Sequence, residues 1–139
     1  MTGATGSRPM RLLVLAGCCV LAGACGRGGA DVPVLPEEPT PAGATVFTAR
    51  DDLVEPHPIP VRSWTRVDDD RIAVHFETGT PACFGVDATV TESDTAVTVA
   101  LRGGTLPEAV DRACIMIAVT GVLELTLQAP LAGRIVTEG

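Results

Sequence analysis

The sequence predicts a mainly β protein: a small antiparallel sheet or sandwich of five to seven strands, with one short helix and one disulfide. Three observations lead there. Beyond residue 61, apolar residues recur at every second position in several runs. Clusters of Asp, Gly, Ser and Pro separate those runs. Beyond residue 61 the cysteines form a single pair, Cys83 and Cys114. Alternation of this kind marks strands with one face toward a core and the other toward water.

The first element in chain order is not part of that sheet. Arg8 and Arg11 precede an uncharged run from Leu12 to Ala24, and Cys25, Gly26 and Arg27 follow it. A positive end, a short apolar middle and small residues at the cut are the order of a secretory signal peptide. The run falls well short of the roughly 20 apolar residues that a spanning helix needs. Residues 1–24 are therefore expected to be a signal peptide. The stretch "LAGAC", Leu21 to Cys25, resembles the lipobox of bacterial lipoprotein precursors. That resemblance implies a lipid anchor on Cys25, carrying acyl chains such as palmitate, with Cys25 as the new N-terminus. The mature protein would then sit at the cell membrane, facing outside the cytoplasm. Two alternatives stay open. "VLAGC", ending at Cys18, is locally the closer match, but it leaves an apolar region below the roughly 7 to 15 residues such signals use. "AGA" at Ala22 to Ala24 also fits an ordinary cleavage site, followed by plain secretion.

Of the five cysteines, Cys18 and Cys19 leave with the leader and Cys25 is taken by lipid. Cys83 and Cys114 remain, and an even pair in an exported, oxidising setting is expected to form a disulfide. The competing readings are a metal pair or two reduced thiols. Zinc commonly takes four ligands, and beside this pair the mature chain offers only His57 and His75.

Residues 25–60 read as the lipidated N-terminus and a flexible linker rich in Pro, Gly and acidic residues, a composition too poor in apolar surface to order itself. Within it, Val46 to Ala49 fits a short strand and "EPHPIP" an extended connector. The β-rich extracytoplasmic domain is then residues 61–139. Its strand signals are Ile72, Val74 and Phe76; Val86, Ala88 and Val90; Val97, Val99 and Leu101; and Leu123, Leu125 and Leu127. Turn chemistry lies between them at Asp68 to Asp70, Glu92 to Thr95, Arg102 to Gly104 and Ala129 to Gly133. "TLPEAVDRAC" has Thr105 as a cap, an early Pro107, and Leu106, Ala109, Val110 and Ala113 at helical spacing, which predicts the short helix. "IMIAVTGV" is continuously apolar; its β-branched residues favour a buried strand over a continuation of that helix.

The pair Cys83 and Cys114, an amphipathic strand, and then "PLAGRIV" at Pro130 to Val136 are similar to a pattern in small uncharacterised lipoproteins of high-GC Gram-positive bacteria, over residues 71–136. The resemblance implies a like extracytoplasmic domain and no specific activity. Read as residues alone, Pro130 to Arg134 is a hairpin connection with Gly133 supplying the turn.

Formal charge narrows the partners. Ten basic residues against 17 acidic ones give −7, and losing Arg8 and Arg11 with the leader takes this to −9. Such a chain repels nucleic acid and anionic lipid surfaces. No nucleic-acid partner is expected; the membrane is met through the N-terminal lipid, with a protein partner at the cell envelope.

Reactive groups are sparse. The serines after the leader are Ser63 and Ser93, and neither lies in a G-x-S-x-G elbow. Asp68, Asp69 and Asp70 lack the spaced acids and Gly of a calcium loop and read as a polar turn, so no metal or cofactor is expected. His75 is placed on the outward face beside Glu77, and His57 in the proline connector. The least ordinary stretch is "RSWTR". Arg62, Trp64 and Arg66 share one strand face, with Val61 and Val67 on the other. An aromatic between two guanidiniums is a candidate face for an anionic or planar ligand; the competing reading has Trp64 covering the core while the arginines snorkel at its edge. Together these readings predict a lipid-anchored, non-enzymatic interaction or accessory module, the alternative being a small-ligand or metal-binding lipoprotein.

Overall fold

The computed structural model describes residues 2, 3, 6 and 31–139. The expected lipidation site at Cys25 and, apart from Thr2, Gly3 and Gly6, the expected leader lie outside the described residues. Eight strands form: β1 (Thr45–Phe47), β2 (Val54–Pro58), β3 (Val61–Asp68), β4 (Arg71–Thr78), β5 (Phe84–Glu92), β6 (Ala96–Thr105), β7 (Val119–Thr126) and β8 (Ile135–Glu138). They make two four-stranded sheets. The first runs β1-β7-β4-β3. In the second, β5 flanks β6 on one side, while β2 and β8 share its other flank, β2 beside Arg102 to Thr105 and β8 beside Ala96 to Val99. The alternating residues behave as their spacing requires. Ile72, Val74 and Phe76 from β4, Leu123 and Leu125 from β7, Val86 from β5, and Val97, Val99 and Leu101 from β6 meet in one core between the sheets.

The expected strand count of five to seven is too low, because residues assigned to the linker fold. Beyond residue 31, this segment closes both sides of the sandwich. Val34 pairs antiparallel with Thr137 of β8, Glu37 pairs parallel with Trp64 of β3, and the buried Leu35 lies between these two attachments. Farther on, β1 pairs parallel with β7, and Ala49 then bridges to Val86 of β5. Two straps, residues 33–38 and 45–50, thus tie opposite edges of the two sheets together. Composition misled here because proline lacks a backbone donor. That disqualifies it from a central strand, but an edge strand needs donors on one side only, and Leu35 and Phe47 give each strap an apolar plug.

The connection between the straps explains a second departure. Residue 38 lies outside β3 and residue 45 outside β7, so seven residues cross about four strand spacings, roughly 19 Å at ~4.8 Å each. Their fully extended reach is only about 24 Å. The direct route over the outer face of the first sheet is the one that fits, and it lays residues 39–44 across that face. His75, expected to be exposed there, is consequently 1 % exposed.

Five local expectations also change. The turn expected at Arg102 to Gly104 is continuous strand within β6, paired with β2 and β5. A bulge between Val61 and Ser63 interrupts the alternation of β3, so Val61 and Trp64 both face inward instead of lying on opposite faces, while Val67 is exposed. The expected helix is a 3₁₀ turn, Pro107–Ala109, because Thr105 is still paired to Phe84 within β6. So few residues remain before Cys114 that a helix there gains little from propagation. Ile115 to Ala118 are exposed coil, and the strand begins only at Val119. Finally, Pro130 to Arg134 does not join a hairpin: it carries the chain from β7 in one sheet to β8 in the other. Its left-handed residue is Ala132 (φ 47°) rather than Gly133.

Candidate functional site

β6 runs out at Thr105, and the loop from Leu106 to Ala118 leads from there to β7. Its base is fixed twice. Leu106 and Ala109 pack with Cys83 in a small second core, and Cys83 is bonded to Cys114 with a Cα–Cα distance of 6.1 Å, inside the usual range for a disulfide. The expected disulfide is present. The backbone N–H of Leu106 also donates to the carbonyl of Cys83 at 2.8 Å, which draws the end of β6 onto the start of β5.

Beside this loop is an open cleft of about 430 Å³. Ile59, Phe84, Met116, Ile117 and Ala118 supply its apolar wall, and His57, Glu77 and Thr78 its polar rim. The Phe84 ring is held over Gly79, where a Cβ would overlap it, so glycine at 79 is what lets the ring stand in the cleft wall. Phe84 also lines a smaller recess, of about 290 Å³, whose rim carries Arg50 and Glu108. Arg50 donates to both carboxylate oxygens of Asp52, at 2.8 and 2.6 Å, and to Glu108 at 2.6 Å. These hydrogen bonds hold both carboxyls below their ordinary range.

The sequence-chosen ligand face is not an open face. Trp64 is 5 % exposed, and its indole N–H donates to the carbonyl of Leu35 at 3.1 Å in the first strap. The Arg66 guanidinium lies 5.8 Å from the centre of the Trp64 ring, within cation–π range. Arg62 points elsewhere and pairs with Glu77 at 2.9 Å. The competing reading, a core tryptophan with arginine snorkelling at its edge, describes Trp64 and Arg66. The contribution of Arg62 is instead to the cleft rim, through Glu77.

The aspartate turn is engaged in structure. Arg71 donates to Asp68 at 2.8 and 2.5 Å and, chiefly through those bonds, lowers its pKa. The carbonyls of Asp69 and Asp70 accept from Leu131 and Leu127. No group of three His, Cys, Asp or Glu side chains placed to hold a metal occurs among the described residues. Ser63 and His75 do meet, Oγ to Nδ1 at 2.9 Å, but both are buried and neither lines the cleft. Nothing in the spacing of the sequence marked the cleft itself. It is made where β2, β4, β5 and β6 meet residues 116–118.

No helix among the described residues is long and apolar enough to cross a membrane. Compared with known proteins, the chain matches no family model, no curated sequence and no solved structure.

Proposed function

We propose that the mature chain is a lipid-anchored extracytoplasmic module that acts by binding rather than by catalysis, presenting its cleft at the outer face of the cell membrane. The observation that carries this reading is the disulfide-stapled apolar cleft. Concave, mainly apolar sites with a few polar groups at the rim are the usual form of a binding site, and the Cys83–Cys114 bond suits an oxidising compartment outside the cytoplasm. The leader and the small residues ahead of Cys25 supply the means of export and attachment. The rim groups are already satisfied by neighbours, Glu77 by Arg62 and His57 by the carbonyl of Glu55 at 3.3 Å, an arrangement suited to orienting a partner.

The test joins anchoring to recognition. Intact mass of the purified chain is expected to show acyl chains on Cys25, and Cys25→Ser is expected to move the protein from the membrane fraction into the culture fluid. A photo-crosslinker at Thr78, on the cleft rim, is expected to give a discrete adduct in intact cells; the same group at Thr89, on the opposite half of β5, is not. An unmodified thiol at residue 25 overturns the anchoring. Equal labelling from both positions overturns the assignment of the cleft.

A further inference from the structure

The loop between the 3₁₀ turn and β7 divides its apolar residues in two. Leu106 and Ala109 pack inward with Cys83, whereas Ile115, Met116 and Ile117 are exposed to solvent, Met116 at 87 %, as is Val110 of the same loop. The disulfide fixes the base from which they project. A contiguous apolar tip on an otherwise charged molecule marks a contact surface.

Topology and chain length say what it meets. β6 runs from Ala96 to Thr105 and leads into this loop; β8 runs parallel to β6, and the chain at Val34 runs antiparallel to β8. The polypeptide therefore reaches Val34 from the direction of the loop. Val34 lies opposite Thr137, which lies opposite Thr98, so the loop end of the sandwich is seven strand residues away, about 23 Å. Nine residues connect Cys25 to Val34, with an extended reach of about 30 Å. A lipid on Cys25 can sit level with the tip but little beyond it. The opposite end carries the Asp68–Asp70 turn and exposed Asp94, and among the described residues it has no consecutive exposed apolar run to match 115–117.

Resting on the anchoring proposed above, we infer that Ile115, Met116 and Ile117 insert into the outer surface of the bilayer that holds the Cys25 lipid. The domain then stands on the membrane at two points, and the cleft, whose wall includes Met116 and Ile117, opens at the lipid boundary. The acidic balance of the chain opposes its approach to anionic lipid, so three side chains alone would bind weakly. Tethering supplies an effective concentration in the millimolar range for short connections, at which weak insertion is sufficient.

The full acylated chain, carrying Met116→Trp, is reconstituted in phosphatidylcholine vesicles with brominated acyl chains. Emission from the new tryptophan is expected to fall by about half or more. Asp94→Trp at the opposite end, and the wild type with only the buried Trp64, are expected to change little. Met116 is exposed, so its replacement leaves the fold intact, and unchanged Trp64 emission in water checks this. The Cys25→Ser chain with Met116→Trp, mixed with the same vesicles at millimolar lipid, reads the tip without the anchor, and partial quenching is expected. Acylated protein with an unquenched residue 116 overturns the insertion and leaves the anchoring standing. Quenching in the Cys25→Ser chain together with an unmodified residue 25 in the wild type overturns the anchoring and leaves the insertion standing.

Discussion

His75 lies on the outward face of β4 yet is sealed by residues that cross that face. Its hydrogen bonds have one consistent direction. Thr65 donates its hydroxyl proton to the carbonyl of Glu38, so its oxygen is left to accept from Nε2–H, 3.1 Å away, and Nδ1 accepts from Ser63. This order holds the ring in the neutral Nε2–H tautomer, and burial lowers its pKa below the ordinary 6.5. The unfolded chain therefore takes up the proton first as pH falls, so the contribution of His75 is complete above about 6.5 and declines below it. The melting temperature of the wild type is expected to drop between pH 7.5 and 5.5, and His75→Gln is expected to flatten that segment. A further fall is expected below the ordinary carboxylate range, where Asp52, Asp68, Glu92 and Glu108, all held down by their donors, become protonated. The same residue shows what alternation can convey. It places His75 on the face opposite Val74 and Phe76, which is correct, but it carries no information about a distant segment lying over that face.

At the scale of elements, the strands with strict alternation in β4, β5, β6 and β7 were legible, because one buried face imposes a period of two. β1 was legible in part, as the short strand expected at Val46 to Ala49. Two elements were not. β2 lies on a sheet edge, where pairing comes from one side and composition is a poor guide. The stretch from Thr105 to Cys114 has helical spacing, but its ends are fixed by β6 and by the disulfide, and tertiary attachment decided its form. The disulfide itself was legible by counting. It closes a separation of 31 residues, for which chain-entropy arguments give about 3 to 4 kcal/mol. Cys83→Ala/Cys114→Ala protein is expected to lose roughly that much in denaturant unfolding. Amide exchange should show the first loosening at residues 106–118, with β4 and β7 protected until global unfolding. The β7-to-β8 connection is organised by a group that spacing does not expose. Arg134 donates to Glu92 at 2.9 Å and to the carbonyls of Ala129 and Pro130 at 2.7 and 2.9 Å, and Glu92 accepts from the N–H of Gln128 at 2.6 Å.

Across the whole molecule, the straps decide how the sandwich treats its edges. Unpaired strand edges invite pairing with another chain, and here strap residues lie along β3, β5 and β8. Leu35 is the apolar pin of the first strap. Leu35→Ala is expected to cost about 2 to 4 kcal/mol, within the range for buried leucine truncations, and to uncover β3 and β8 together. Light scattering on warming should therefore rise at lower temperature and with concentration in the variant; a variant that unfolds early yet stays monomeric would show that these edges are protected by other means. The cleft was not legible from sequence, because it exists only where four strands and a coil converge, whereas its disulfide base was. The course of the first strap has a mechanical consequence. A pull on the chain from its N-terminal side would run along the strap, loading the bonds from Leu35 to Val136 and from Glu138 to Pro33 side by side rather than unzipping them in turn. Under the anchoring proposed here, the domain would resist drag at the very point where its tether enters it.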